Sequence, residues 1–404
     1  MHLATDLPTT GKAPPELAPC DAWMTDFLVK NQVPGGSLAI AREGKVVYAR
    51  GFGYADREDR APVQPEALFR IASISKPVTA VAILKLVQDE KLKLEDKVFD
   101  LLTVEPFFEK PDGRLDERWK QITVVECLCH TGGWDRAQSY DPMFQAIRMA
   151  KAMGQGLPIL PEHVIRFQLG QPLDFDPLTR YAYSNFGYCV LGRVIEKVTG
   201  QPYEKYVQES ILKPLGITTA QIGGSLESER AEGEVKYYVA GDETEIAVVG
   251  PGAGTEKVPV AYGAWRQETL DAHGGWIASA VDLVKFAAAF DLVDGGRKSR
   301  GGFLKAANVR LMFSPQATIV RGELNGQGSV FYGLGWNLRE EEGLLVARHG
   351  GSLPCTASSL MHFPDGLNVA VLFNIGRTGD NKPLGGLIEG PLTELVRGIE
   401  KWPG

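Results

Sequence analysis

Strand-like segments stand at both ends of this chain, with helical and loop-rich sequence between them. Residues 37–42 (SLAIAR) and 45–50 (KVVYAR) are separated only by Glu43-Gly44, a two-residue connection that specifies a hairpin. Residues 344–348, 356–363 and 367–375 read as three further runs. The last two are joined by the tight turn Pro364-Asp365-Gly366. Buried stripes at helical spacing mark the segments between and around them. Residues 73–91 carry Ala80, Ile83, Leu84 and Val87 in an i, i+3, i+4, i+7 pattern. Pro77 is compatible with that helix only in its first turn, so the helix must begin near Ser73. Further helices are expected over 21–32, 123–130, 188–198, 202–212, 282–290 and 384–402, the fifth opened by the capping-box-like Ser279-Ala-Val-Asp282. The pattern predicts an α/β (α+β) fold with one antiparallel sheet built from both ends of the chain and flanked by helices. Its expected divisions are an extended lead-in (1–20), a sheet domain (21–100 plus 276–404) and an inserted, mostly helical domain (101–275). The active site is expected in the cleft between the last two.

Composition removes several classes of function. Lys and Arg total 43 against 50 for Asp and Glu, a net charge of −7, and no basic stripe is present to neutralise phosphates, so no nucleic-acid partner is expected. No apolar run approaches the ~18 residues that span a bilayer, so no membrane partner is expected either. Residues 1–17 lack a basic segment followed by an apolar one, and the five cysteines are odd in number and scattered. A cytoplasmic location is therefore expected. The six histidines are dispersed, and neither HExxH nor CxxC occurs, so no metal is expected. GxSxG is absent, and the glycine-rich residues 250–254 (GPGAG) are not followed by GK[ST], so no nucleotide cofactor is expected. A small molecule is the partner that remains.

Three constellations carry chemistry. Ser73-Ile-Ser-Lys76 puts a hydroxyl and an amine on one face of a first helical turn. A serine needs a base within hydrogen-bond reach, and a lysine buried at a positive helix N-terminus loses its proton more easily. Fifteen serines and twenty-one lysines produce about one S-x-x-K by chance, and a second does occur at Ser210-Ile-Leu-Lys213. That one ends a helix, where the dipole disfavours an alkoxide. The second constellation is Tyr183-Ser184-Asn185. A phenol beside two ammonium-like charges can have its pKa lowered and act as general base, and Asn185 can bond Lys76 or a substrate carbonyl. An aromatic loop packing on the core is the alternative. The third is His349-Gly350-Gly351-Ser352, which follows a strand. Glycines there let a substrate lie along the strand edge, and the N–H of Ser352 can join that of Ser73 as an oxyanion donor. A plain glycine turn is the alternative.

In this order, S-x-x-K, Y-x-N and [K/H]-x-G resemble the serine β-lactamase / penicillin-binding-protein-like superfamily, with the nearest likeness to class C β-lactamases and family VIII carboxylesterases. Flanking residues 92–101 (LKLEDKVFDL), 122–133 (ITVVECLCHTGG), 214–216 (PLG) and 274–286 (GGWIASAVDLVKF) agree, and the likeness runs from about residue 20 to 400. The resemblance implies Ser73 as the acylated nucleophile, Lys76 as the group easing its deprotonation and Tyr183 as the base. It also implies Asn185, His349 and Gly351 at the substrate, with Ser73 and Ser352 forming the oxyanion hole. His349 departs from the lysine that β-lactamases carry. A largely neutral imidazole weakens anion recognition more than acyl transfer, which favours uncharged esters or amides over β-lactams. The expected activity is therefore a serine carboxylesterase (EC 3.1.1.-) without cofactors. The alternatives are a β-lactamase or D-amino-acid-type peptidase, and then a non-catalytic penicillin-recognition module. Trp134, Trp265 and Tyr332 can line the pocket or the core, and Cys355 leaves the packing near the His349 strand open.

Overall fold

The computed structural model describes residues 7–320, 330–341 and 343–403. Residues 1–6 of the expected lead-in lie outside them. The rest of that segment is partly ordered, with Thr9–Lys12 forming an edge strand and Pro15–Leu17 a single 3-10 turn. The fold is a mixed α/β arrangement around one large antiparallel sheet. In spatial order its strands are Thr9–Lys12, Lys45–Asp56, Gly35–Arg42, Leu367–Phe373, Thr356–His362, Leu344–Leu353, Asn337–Glu341, Val330–Tyr332 and Ala317–Val320. The short Ala61–Pro62 pairs with Lys45–Asp56 off this path. Glu43 and Gly44 both take positive φ (49° and 81°), the backbone that a two-residue hairpin needs.

The join between the two ends of the chain is the pairing of Gly35–Arg42 with Leu367–Phe373, where Ala39 faces Ala370 and Leu38 faces Val371. Alternation sorts these side chains. Leu38, Ile40, Val369 and Val371 turn to a core they share with Met24, Phe27, Ile388 and Leu392, from the helices Ala18–Asn31 and Gly385–Arg397. Ala39, Ala41, Ala370 and Leu372 turn to the opposite core, with Val78, Leu283 and Phe286. A slip of one residue would exchange the two sets, so burial on both faces holds the register.

The second core carries the helices that build the site. Ser75–Gln88 is buried along most of its length, and Pro77 is its third residue, where no intrahelical N–H bond is lost. Between residues 101 and 275 lie Val124–Leu128, Ala146–Met153, Pro161–Leu169, Asn185–Thr199 and Tyr203–Val207, with the two-stranded pair Thr244–Ile246 and Lys257–Pro259; a three-stranded sheet ties Gln221–Ile222 to Trp276–Ala278 and Phe69–Arg70. Residues 146–169 hold two of these helices where the sequence showed no clear period. No described helix is long and apolar enough to cross a membrane.

Candidate active site

Ser73 sits in a one-turn 3-10 helix, Ala72–Ile74, immediately ahead of the buried helix Ser75–Gln88. Ala72 holds φ at 46°, a conformation costly for a residue with a Cβ, so the turn that presents Ser73 is backbone-strained. Lys76 follows one turn later on the same face and is fully buried. Its Nζ lies 3.1 Å from Ser73 Oγ, 2.8 Å from Asn185 Oδ1 and 2.8 Å from the carbonyl oxygen of His273. Burial pushes the Lys76 amine well below its ordinary pKa of 10.5. The charge of Arg136 acts in the same direction and that of Asp141 opposes it. A neutral amine has two N–H donors and one lone pair. Asn185 Oδ1 and the His273 carbonyl can only accept, so they take the two hydrogens. In that form the lone pair is left facing Ser73, the one neighbour with a proton to give, whereas the charged amine donates to Ser73 Oγ.

Tyr183 and Asn185 arrive from the loop and first turn of Asn185–Thr199, a helix capped by Ser184, whose side chain accepts from the Gly187 N–H. The Tyr183 hydroxyl bonds Ser73. Its ring lies 4.8 Å from Lys76 Nζ and 5.0 Å from the Arg136 guanidinium. The phenol pKa is nonetheless raised, chiefly by burial, with only partial relief from the Ser73 bond and Arg136. This reverses the depressed phenol pKa expected from the sequence. That argument needed charged ammonium neighbours, and the nearest amine is driven toward its neutral form. Tyr183 therefore stands beside Ser73 as a protonated phenol. Asn185 faces Lys76 rather than open cleft.

His349, Gly351 and Ser352 lie on the strand Leu344–Leu353. Gly351 is the closest approach. A Cβ there would fall 2.1 Å from the carbonyl oxygen of Ile71, two residues before Ser73, so only glycine lets the strand press against the turn that carries Ser73. Ser352 is exposed just beyond it. His349 is 2% exposed. Its Nδ1 lies 2.8 Å from the Gly350 carbonyl, an obligate acceptor, so Nδ1 carries the hydrogen; Nε2, 3.1 Å from the Tyr332 hydroxyl, accepts from it. Burial first, and then the Lys76 charge, lower the His349 pKa from 6.5 to about 3. The ring is thus a neutral, doubly bonded strut.

Burial also lowers the pKa of His130 and His273. A histidine held neutral in the folded state takes up protons only on unfolding. Stability from these groups is complete above the unfolded value of 6.5 and is lost as pH falls below it, continuing toward about 3 for His349. Thermal melts are expected to shift downward between pH 6.5 and pH 4. In His349→Gln the shift should be smaller; an equal shift would remove His349 from the cause.

Several residues near the site carried no local signal. Tyr332 is fully buried and bonds His349 Nε2, while Asp141 bonds Asn185 from 44 positions away. Trp134 belongs to the core, against Trp119 and Phe186. Trp265 does line a cleft, of about 380 Å³, with Phe144, Glu245, Ser352, Leu353 and Arg377. A larger cleft of about 690 Å³ lies between the N- and C-terminal helices, beside Trp23 and Leu387, and holds none of these site residues. Cys355 is buried, with Sγ 3.7 Å from Arg70 Nη1. Among the described residues, no cluster of His, Cys, Asp or Glu is arranged to hold a metal.

Comparison with known proteins places this geometry. Protein flp of Staphylococcus aureus (strain N315) is 34% identical over 191 residues, which is 47% of this chain and 35% of that protein. Penicillin-binding protein 4* of Bacillus subtilis (strain 168) is 28% identical over 335 residues, 82% of this chain and 65% of that protein. The chain thus spans about a third of the length of the first and just under two thirds of the second. The solved structure of the octameric penicillin-binding protein homologue from Pyrococcus abyssi superposes with a TM-score of 0.71 at 27% identity, covering 96% of this chain and 79% of that one. The family model for beta-lactamase matches residues 20–387, which include Ser73, Lys76, Tyr183 and His349, and the chain belongs to that beta-lactamase family.

Proposed function

We propose that this protein is a serine carboxylesterase that cleaves small carboxylic esters through an acyl-enzyme on Ser73. Ser73 Oγ attacks the ester carbonyl as its proton passes to the lone pair of Lys76. The N–H groups of Ser73 and Ser352 take up the charge that develops on the carbonyl oxygen. Tyr183, protonated and bonded to Ser73, gives its proton to the departing alkoxide and recovers one from Lys76. Water then attacks the acyl carbonyl, and the same groups move its proton in the reverse order, returning Ser73 with its hydrogen and releasing the acid.

The observation that carries an ester rather than a β-lactam is His349. It is buried, doubly hydrogen-bonded and held at a pKa of about 3, so this strand position presents no cation to a substrate carboxylate. A β-lactamase or D-amino-acid-type peptidase would use the same nucleophile and bases, and the match to penicillin-binding protein 4* supports that second reading. Retention of Ser73, Lys76 and Tyr183 in contact with one another argues against a module that binds without turnover. The test offers p-nitrophenyl acetate, p-nitrophenyl butyrate, a chromogenic cephalosporin and a D-alanyl amide to the purified protein. Ester turnover is expected to exceed the other two by at least about tenfold in kcat/KM. Cephalosporin or amide turnover without ester turnover would replace the proposal with the second reading.

A further inference from the structure

The bonding pattern around Lys76 depends on a residue that Lys76 does not touch. Asn185 connects the two, its Oδ1 accepting from Lys76 Nζ at 2.8 Å while its Nδ2 donates to Asp141 Oδ2 at 2.6 Å. A carboxamide has nearly the same shape in either orientation, so its partners decide which end points where. Asp141 caps the short turn Pro142–Phe144, where its Oδ1 accepts from the Met143 N–H at 3.1 Å. Both carboxylate oxygens are engaged, and a carboxylate can only accept. The NH2 of Asn185 must therefore face Asp141, and its oxygen must face Lys76.

The reverse orientation would be damaging. With its NH2 toward Lys76, Asn185 would donate to the amine's lone pair, and nothing would remain to receive the Ser73 proton. We propose that Asp141 is a positioning residue for the reaction, keeping the lone pair of Lys76 turned toward Ser73 by fixing the orientation of Asn185. The proposal rests on Lys76 being the base. Arg136, 3.9 Å from Asp141 Oδ2, is too distant to displace Asn185 from that oxygen.

Asp141→Asn is a decisive change because the cap dictates its outcome. Asparagine caps a turn about as well as aspartate does. Its single oxygen is needed by the Met143 N–H, so its NH2 turns toward Asn185, which must then present its own oxygen there and its NH2 to Lys76. The polarity of the chain is inverted without a change in shape. We expect kcat for p-nitrophenyl acetate to fall on the order of 10²-fold with KM within about threefold. The acidic limb of kcat/KM should also move to lower pH, because the variant lacks a carboxylate that favours the protonated amine. The other groups facing Lys76 stay in place: Arg136, the rings of Tyr183 and Tyr188, and His130, His273 and His349.

Asn185→Asp alone sets two carboxylates against each other. Adding Asp141→Asn to it restores a donor–acceptor pair, and the double variant should be at least about fivefold more active than Asn185→Asp. That comparison decides the matter even if Asp141→Asn alone is less stable. A kcat within twofold of wild type, a fall in kcat with the acidic limb unmoved, or a double variant no better than Asn185→Asp would each overturn the proposal. Full activity of Lys76→Met would overturn it together with the assignment of the base. An inactive Lys76→Met beside a normal Asp141→Asn would overturn the positioning role alone.

Discussion

Ester turnover in Ser73→Ala is expected to fall by on the order of 10⁴-fold or more, with the fold and the thermal midpoint close to those of the wild type. Ser73 is the atom source of the acyl bond in the proposed reaction, and nothing else near Lys76 can replace it. The other partners of the amine are an amide oxygen and a backbone carbonyl, neither of which is a nucleophile. The substitution removes one hydroxyl from a side chain that is only half-buried, so little packing is lost. Ala72 keeps its strained φ, because the alanine at 73 does not alter the turn. The measurement is p-nitrophenyl acetate hydrolysis, paired with mass spectrometry of the acid-quenched protein. Acetyl should accumulate on the wild type at residue 73 and on no residue of the variant. Turnover that survives in Ser73→Ala, or acetyl found elsewhere, would refute the mechanism.

The second large effect separates the two candidate bases. Lys76→Met should lower kcat on the order of 10³-fold and Tyr183→Phe on the order of 10²-fold. The order follows from protonation. Burial drives the Lys76 amine toward its neutral form and holds the Tyr183 phenol protonated, so the first is ready to accept a proton and the second to give one. Methionine fills much of the lysine's volume without bringing a charge into the site, at the cost of leaving Asn185 Oδ1 and the His273 carbonyl without their donor. That costs about 1–3 kcal/mol of stability for each unsatisfied group. Kinetics are therefore to be read below the melting transition. Tyr183→Phe should be hurt least with leaving groups that need no proton, so p-nitrophenyl esters should lose less than alkyl esters. A larger loss in Tyr183→Phe than in Lys76→Met, with no dependence on the leaving group, would return the role of base to Tyr183.

Much of the fold was readable because burial imposes a period on the chain. The hairpin around Glu43-Gly44 and the runs at 344–375 appear as strands close to where they were expected; Gly35–Arg42, Lys45–Asp56 and Leu344–Leu353 run longer, while Thr356–His362 and Leu367–Phe373 stop slightly short. Gly35–Arg42, Thr356–His362 and Leu367–Phe373 are buried on both faces nearly throughout, and such runs are hard to mistake. The sheet's outer strands Val330–Tyr332 and Asn337–Glu341 escaped notice because they are short and mostly half-exposed, so their side chains carry no pattern. The helix Pro161–Leu169 escaped because its stripe is short and follows a loop. Asp141 gave no local sign of its part, since its partner Asn185 is remote in sequence and a single aspartate before a proline reads as a turn.

The sequence by itself determined that both ends of the chain would supply one sheet, that Ser73 and Lys76 would lie one helical turn apart, and that a titratable imidazole rather than a lysine would stand at 349. Each of these is set by residue type and short spacing. Only the tertiary structure decided the protonation states. Burial pushes Lys76 toward its neutral form because packing removes water from around it, holds Tyr183 toward its protonated form for the same reason, and keeps His349 neutral between Gly350 and Tyr332. Desolvation and hydrogen-bond polarity belong to groups brought together from distant parts of the chain, and no spacing along it records them.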